Sequence, residues 1–229
     1  MKNSREREKR IVDWLTSIEN DAQAVFLLGD VFDFWHEYKA VVPKGFTRLF
    51  GKLNLLVDKG IEIFFFTGNH DMWIRSFFEE ECGWKIFRKP IFMEINRKKL
   101  HVGHGDGLGP GDARYKFLKF CFSSKLLQWC FARLHPNFAL GMAKYWSGKS
   151  RQKHIRNNYT FEGEQEWLVI YCRNVLENQH VDYFIFGHRH IPVDYSLDTI
   201  SRYLNPGDWF ESGQYIEFDG AEMNLRYLG

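Results

Sequence analysis

The sequence predicts a layered α/β protein, and three observations lead there. Short apolar runs alternate with amphipathic helical stretches along most of the chain. Four of those runs stop abruptly at a polar cluster built from Gly, Asp, Asn and His. The length of 229 residues, with 45% hydrophobic and 26% charged, suits one large domain spanning 1–229, with an insertion at about 113–156.

Each element follows from local pattern. Residues 4–20 read as a helix, with Ser4 as N-cap and Ile11, Trp14, Leu15 and Ile18 on one apolar face. Residues 24–28 (AVFLL) read as a buried strand ending at Gly29-Asp30. A helix over 46–59 is stopped by Gly60, and strand 61–67 (IEIFFFT) then ends at Gly68-Asn69-His70-Asp71. A helix over 73–81 precedes strands near 84–87, 91–95 and 98–103, the last two joined by a turn at Asn96-Arg97. The third of these ends at His104-Gly105-Asp106. Residues 113–156 read as two or three amphipathic helices, and another helix covers 162–178. Strand 183–186 (YFIF) ends at Gly187-His188-Arg189-His190, and short strands with a Pro206-Gly207 turn complete the chain.

Charge is unevenly spread. Residues 113–156 hold ten basic side chains, nine aromatics and no Asp or Glu, so the remainder is net acidic although the total is only +2. Cys82, Cys121, Cys130 and Cys172 lie far apart with no CxxC pair, which points to free thiols and away from a disulfide framework or zinc ribbon. The polar start, Met1 to Arg10, does not read as a signal peptide, and no apolar run approaches a bilayer span. A cytoplasmic protein is expected.

The four polar clusters carry the chemistry. Strand carboxyl ends are where α/β sheets build their sites. Imidazole, carboxylate and a side-chain amide oxygen together suit manganese, iron or zinc, and a pair of such cations can hold a phosphate and activate water. Taken singly, Gly29-Asp30 reads as a turn, Gly68-Asn69-His70-Asp71 as a turn-rich strand end, and His188 and His190 as surface histidines. All four, each after a strand, favour a metal centre. The glycines at 105, 107, 109 and 111 do not read as a dinucleotide loop, because no βαβ unit with a downstream acid frames them.

With Gly29-Asp30-Val31-Phe32-Asp33, Gly68-Asn69-His70-Asp71, Gly103-His104-Gly105-Asp106 and Gly187-His188-Arg189-His190, the chain resembles the calcineurin-like metallophosphoesterases from Val25 onward. That resemblance implies a four-layer αββα sandwich holding two divalent cations, manganese as the expected metal. Asp30 would bridge them; Asn69, His104 and His188 would complete one site, and His190 would belong to the other. His70, oriented by Asp71, would contact the scissile phosphate or protonate the leaving group. The run 28–35 (LGDVFDFW), His104 to Leu108, Asp112, Tyr115 and the helical insertion look most like the UDP-2,3-diacylglucosamine pyrophosphohydrolases of lipid A synthesis. The implied reaction releases UMP and 2,3-diacylglucosamine 1-phosphate. The alternatives are another phosphodiesterase or nuclease of the superfamily, or a non-catalytic lipid- or nucleotide-binding protein.

The family's Asp-x-His motif, expected on a strand before the first helix, does not occur upstream of Asp30. Since every later ligand is kept, a strand preceding Met1 is expected rather than its loss. Without that motif the second cation would have only Asp30 and His190. Of the insertion, three readings stand: a solvated cationic face, a nucleic-acid surface, or an amphipathic element facing an anionic membrane. Phe117, Phe120, Leu127, Phe131 and Leu134 fall near one helical stripe. The resemblance implies a lid over acyl chains, with Ser150 and Lys153 against phosphate or sugar, peripheral association with the inner face of the inner membrane, and no nucleic-acid partner.

Overall fold

The computed structural model describes residues 2–111, 113–156 and 160–228; side chains at 2–4, 113–115, 144 and 148–156 are not described. Two sheets face one another. The first has the order β1 (Ala24–Leu27), β2 (Glu62–Phe66), β3 (Lys85–Phe87), all parallel. The second runs β4 (Ile91–Ile95), β5 (Lys98–Gly103), β6 (Tyr183–Phe186), β8 (Arg202–Pro206), β7 (Pro192–Ser196), with β5, β6 and β8 parallel. A separate hairpin, β9 (Gln214–Phe218) and β10 (Met223–Tyr227), packs on the inter-sheet core.

Strand periodicity builds the layers. In β2, Ile63 and Phe65 point to one side, into a core with Leu15, Leu49, Leu53 and Leu56 from α1 (Lys2–Ser17) and α2 (Thr47–Asp58). Phe64 and Phe66 point to the other, meeting Leu100 and Val102 of β5 and Tyr183 and Ile185 of β6. On the far side of β6, Phe184 and Phe186 pack with Leu168, Val169 and Cys172 of α7 (Trp167–Leu176). Helix, sheet, sheet, helix is therefore the layering, as the motifs imply. Asn96 and Arg97 both take positive φ (50° and 65°), the two-residue hairpin turn that joins β4 to β5 in register.

Three local expectations shift. Helix α1 starts at Lys2, so Ser4 lies inside the helix and not at its N-cap position. The helix expected over 73–81 shrinks to α3 (Phe77–Glu80). Its start is set from a distance by the buried Glu37 carboxylate, which accepts the N–H groups of Arg75, Ser76 and Phe77 at 2.9–3.1 Å. The helix over 162–178 is split: a 3-10 turn at Gly163–Gln165 is followed by an extended Glu166 before α7.

Between β5 and α7 lie α4 (Ala113–Phe122), α5 (Lys125–Ala132) and α6 (Pro136–Arg156). The stripe from Phe117 to Leu134 is thus broken by the α4–α5 turn. Phe131 turns inward, its ring 4.9 Å from Trp73 and 5.5 Å from Phe34, while Phe117, Phe120 and Leu127 face solvent. Trp73 Nε1 donates to Phe122 O at 2.8 Å, and Ala139, Ala143 and Ser147 of α6 are buried.

Candidate metal centre

Every cluster sits where its strand stops. β1 delivers Asp30, β2 delivers Asn69 and His70, β5 delivers His104, and β6 delivers His188 and His190. The chain crosses at close range there: a Cβ on Gly68 would stand 2.2 Å from Asp30 Oδ1, and one on Gly29 2.6 Å from His104 Nδ1. Asp30 and His190 themselves adopt positive φ (54° each), strained backbone of the kind that gathers at functional sites.

The ligand atoms of Asp30, His104 and His188 lie within 4.8 Å of one another. His104 Nε2 is 3.4 Å from Asp30 Oδ2, 3.2 Å from His188 Nδ1 and 3.3 Å from Asn69 Oδ1. On the opposite edge of the ring, Nδ1 lies 2.7 Å from the Leu28 carbonyl, which can only accept, so Nδ1 carries a proton and Nε2 faces the cluster. Four electron-pair donors thus converge on one point, with two imidazoles nearly in contact. A divalent first-row cation fits that donor set. Electrostatics agree: burial opposes protonation of His104, yet the adjoining Asp30 carboxylate overrides it and lifts the imidazole to about 9. Burial and the neighbouring His104 push His188 down to about 3. Positive charge is therefore favoured between these groups. His190 stands further out, Nε2 4.0 Å from Asp30 Oδ2 and Nδ1 3.4 Å from Asp208 Oδ2.

The expected link from Asp71 to His70 is absent among the described contacts. The buried Asp71 carboxylate instead accepts Gly68 N–H at 2.6 Å and Val31 N–H at 2.9 Å, holding the loops of Asp30 and Asn69 together. Burial and the charge of Asp30 push its carboxyl up to about 7. His70 is oriented from elsewhere. Its backbone N–H donates to Asp30 Oδ1 (2.8 Å), and its Nδ1 lies 2.9 Å from Ser147 Oγ and 3.2 Å from Asp33 O. Sequence reasoning missed Ser147, 77 positions away on α6, and nothing local marks it. Glu166 was missed as well; it holds Arg189, between the two histidines of the last cluster, at 2.7 and 3.1 Å. Lys119 on α4 pairs with Asp106 beside His104 at 2.6 Å. Asp112 lies outside the described residues, as do the side chains of Tyr115, on α4, and of Ser150 and Lys153, on α6.

Two facing sheets with such a donor set at their strand ends define a metal-dependent phosphoesterase. The chain belongs to the calcineurin-like phosphoesterase family, whose model matches residues 4–192. Its relatives narrow the field. It is 36% identical to a UDP-2,3-diacylglucosamine hydrolase of Porphyromonas gingivalis, over 96% of this chain and 89% of that protein. A protein of the same name from Actinobacillus succinogenes is 26% identical over 94% of this chain and 90% of its own. Among solved structures, Vps29 of Entamoeba histolytica complexed with Zn2+ matches at a TM-score of 0.42 and 15% identity, covering 93% of this chain and 78% of that one.

Proposed function

We propose that this chain hydrolyses the pyrophosphate bond of UDP-2,3-diacylglucosamine, releasing UMP and 2,3-diacylglucosamine 1-phosphate. The observation that carries the proposal is the convergence of Asp30, Asn69, His104 and His188 beneath a helical insertion, in a chain whose relatives bear that substrate's name. Asp30, Asn69, His104 and His188 would hold one divalent cation, and Asp30 with His190 would contribute to a second, with manganese as the inferred metal. Such cations supply Lewis acidity that polarises a phosphoryl oxygen and acidifies water. His104 presents Nε2 because the Leu28 carbonyl occupies Nδ1, and Asp208 braces His190. Ser147 Oγ donates to Asp33 O (2.6 Å) and so accepts from His70 Nδ1–H, leaving His70 Nε2 to face the phosphate, where the imidazolium form would carry the second proton that passes to the departing oxygen. Asp71 acts through the backbone, as a positioning residue.

Residues 113–156 form a lid in this reading, and Asp112, Tyr115, Ser150 and Lys153 are assigned to substrate binding. Its outer surface presents Phe117, Phe120, Trp129 and Phe138, each more than half exposed, among Lys125, Arg133 and other cations. That composition suits an anionic membrane interface from the cytoplasmic side. Among the described residues no helix is long and apolar enough to cross a bilayer.

The deciding assay is UMP release from UDP-2,3-diacylglucosamine by the manganese-loaded chain. Release that disappears on Asn69→Ala supports the proposal. A folded, metal-loaded protein that cleaves simple phosphodiesters but leaves this substrate intact defeats it. Co-sedimentation with anionic vesicles, weakened by a combined Phe117→Ser and Phe120→Ser change, checks the membrane face; binding independent of both residues would refute it.

A further inference from the structure

Beside His104 opens a cleft of about 450 Å³, set between the ends of β2 and β3, the start of β4 and the inner side of α4. Its size suits a small polar ligand. Four cationic side chains line it: Arg88 and Lys89 from the β3–β4 link, Lys116 and Lys119 from α4. Asp106 is the one acid on its wall among the described residues, and Lys119 already pairs with it. Arg88 is turned to Glu79 and the Arg75 carbonyl, so Lys89 and Lys116 supply the excess positive charge that favours an anion here.

An anion alone does not account for the mouth of the cleft, where an aromatic platform stands. The Phe92 ring stacks on His101 with centroids 3.9 Å apart and planes 9° from parallel, and yet Phe92 stays 52% exposed. His101 is fixed in turn, Nδ1 3.1 Å from Ile91 O and Nε2 2.9 Å from Tyr171 OH. A ring braced from behind, open in front and flanked by lysines matches the way proteins seat a nucleobase joined to a phosphate. Paired acyl chains are a poor match for so cationic a space. Apolar contact between insertion and core gathers instead at Phe34, Trp73 and Phe131, none of which lines the cleft.

We propose that this cleft is the nucleotide subsite, with the base laid on Phe92 and the phosphate drawn by Lys89 and Lys116 toward the centre at His104. The proposal deepens the pyrophosphohydrolase reading and rests on it for the direction in which the substrate lies.

Calorimetric titration of the full, manganese-loaded chain with UMP and with ribose 5-phosphate tests it. Wild type should bind UMP about 10-fold more tightly than ribose 5-phosphate. Phe92→Ala should erase that preference, Phe92→Trp should keep it, and Lys89→Ala should weaken both ligands alike. Equal binding of the two ligands to wild type, or a preference that survives Phe92→Ala, overturns the subsite. In turnover, Phe92→Ala should raise KM for UDP-2,3-diacylglucosamine about 10-fold with kcat retained. An unchanged KM removes the subsite and leaves the reaction standing. A Phe92-dependent UMP preference without lipid turnover removes the substrate assignment and leaves the nucleotide site standing.

Discussion

At Ser147 one oxygen carries two hydrogen bonds whose directions fix a tautomer. The hydroxyl spends its proton on Asp33 O, so it can only accept from His70. Ser147→Ala should lower kcat about 10-fold at nearly constant KM, and Ser147→Thr should restore most of the loss; a rise in KM alone would show that the contact merely shapes the pocket. His36 illustrates a buried group of the opposite kind. It is 0% exposed, neither ring nitrogen has a hydrogen-bond partner among the described residues, and Tyr38, Trp73 and Phe131 surround it. Burial, with the charge of Arg75, pulls the imidazole from 6.5 down to about 4. The folded state therefore binds the proton less well than the unfolded chain. Stability is intact above about pH 6.5 and is lost as pH falls toward 4, by about 2 kcal/mol at pH 5. Urea unfolding at pH 7.5 and pH 5 should show this loss, and His36→Phe should abolish that share of it. The candidate metal ligands stand out in the sequence because each follows its own strand end. Ser147 and Asp208 do not, since a partner supplied by another element leaves no local periodicity or motif.

Among the elements, the loop after β6 is held from behind by α7. Glu166 is 2% exposed and grips Arg189 with both carboxylate oxygens, directly between His188 and His190. Glu166→Gln keeps the shape but loses the charge pairing. It should weaken manganese binding about 10-fold, as changes behind a metal ligand commonly do, while leaving the far-ultraviolet circular dichroism spectrum unchanged. Calorimetric metal titration reads the first and spectroscopy the second. Strands were the easiest elements to read, because IEIFFF and YFIF are apolar on both faces and end sharply. Helix α3 was overestimated: Trp73, Ile74, Phe77 and Phe78 keep a helical period, but Glu37, some forty positions earlier, captures the N–H groups that define where the helix begins. Period reports which face is buried; a remote cap decides where the turn starts.

Over the whole molecule, the sandwich was legible as alternating strands and helices, whereas the division into sheets was not. Among the described residues β1 pairs with β2 alone, and the β9–β10 hairpin stands apart from the two larger sheets, so β1 is an edge of its sheet. No sequence period distinguishes an edge strand from a central one when both faces are covered. Chelation should expose a second property of the sandwich. With manganese at 100-fold above its dissociation constant, calorimetric melting should occur about 5–10 °C higher than after chelation, and His188→Ala should remove most of that difference.

The placement of the candidate donors would make a bound cation a staple. Asp30 and Asn69 come from one sheet, His104 and His188 from the other, and the chain between the first and last of them encloses most of the protein. A chain with only one sheet formed would present two of these donors and would hold metal weakly. Full coordination would require both sheets to be docked, across a long sequence separation. Bound metal would then serve as the cell's certificate that assembly is complete, and apo chains would be the ones left open to proteolysis.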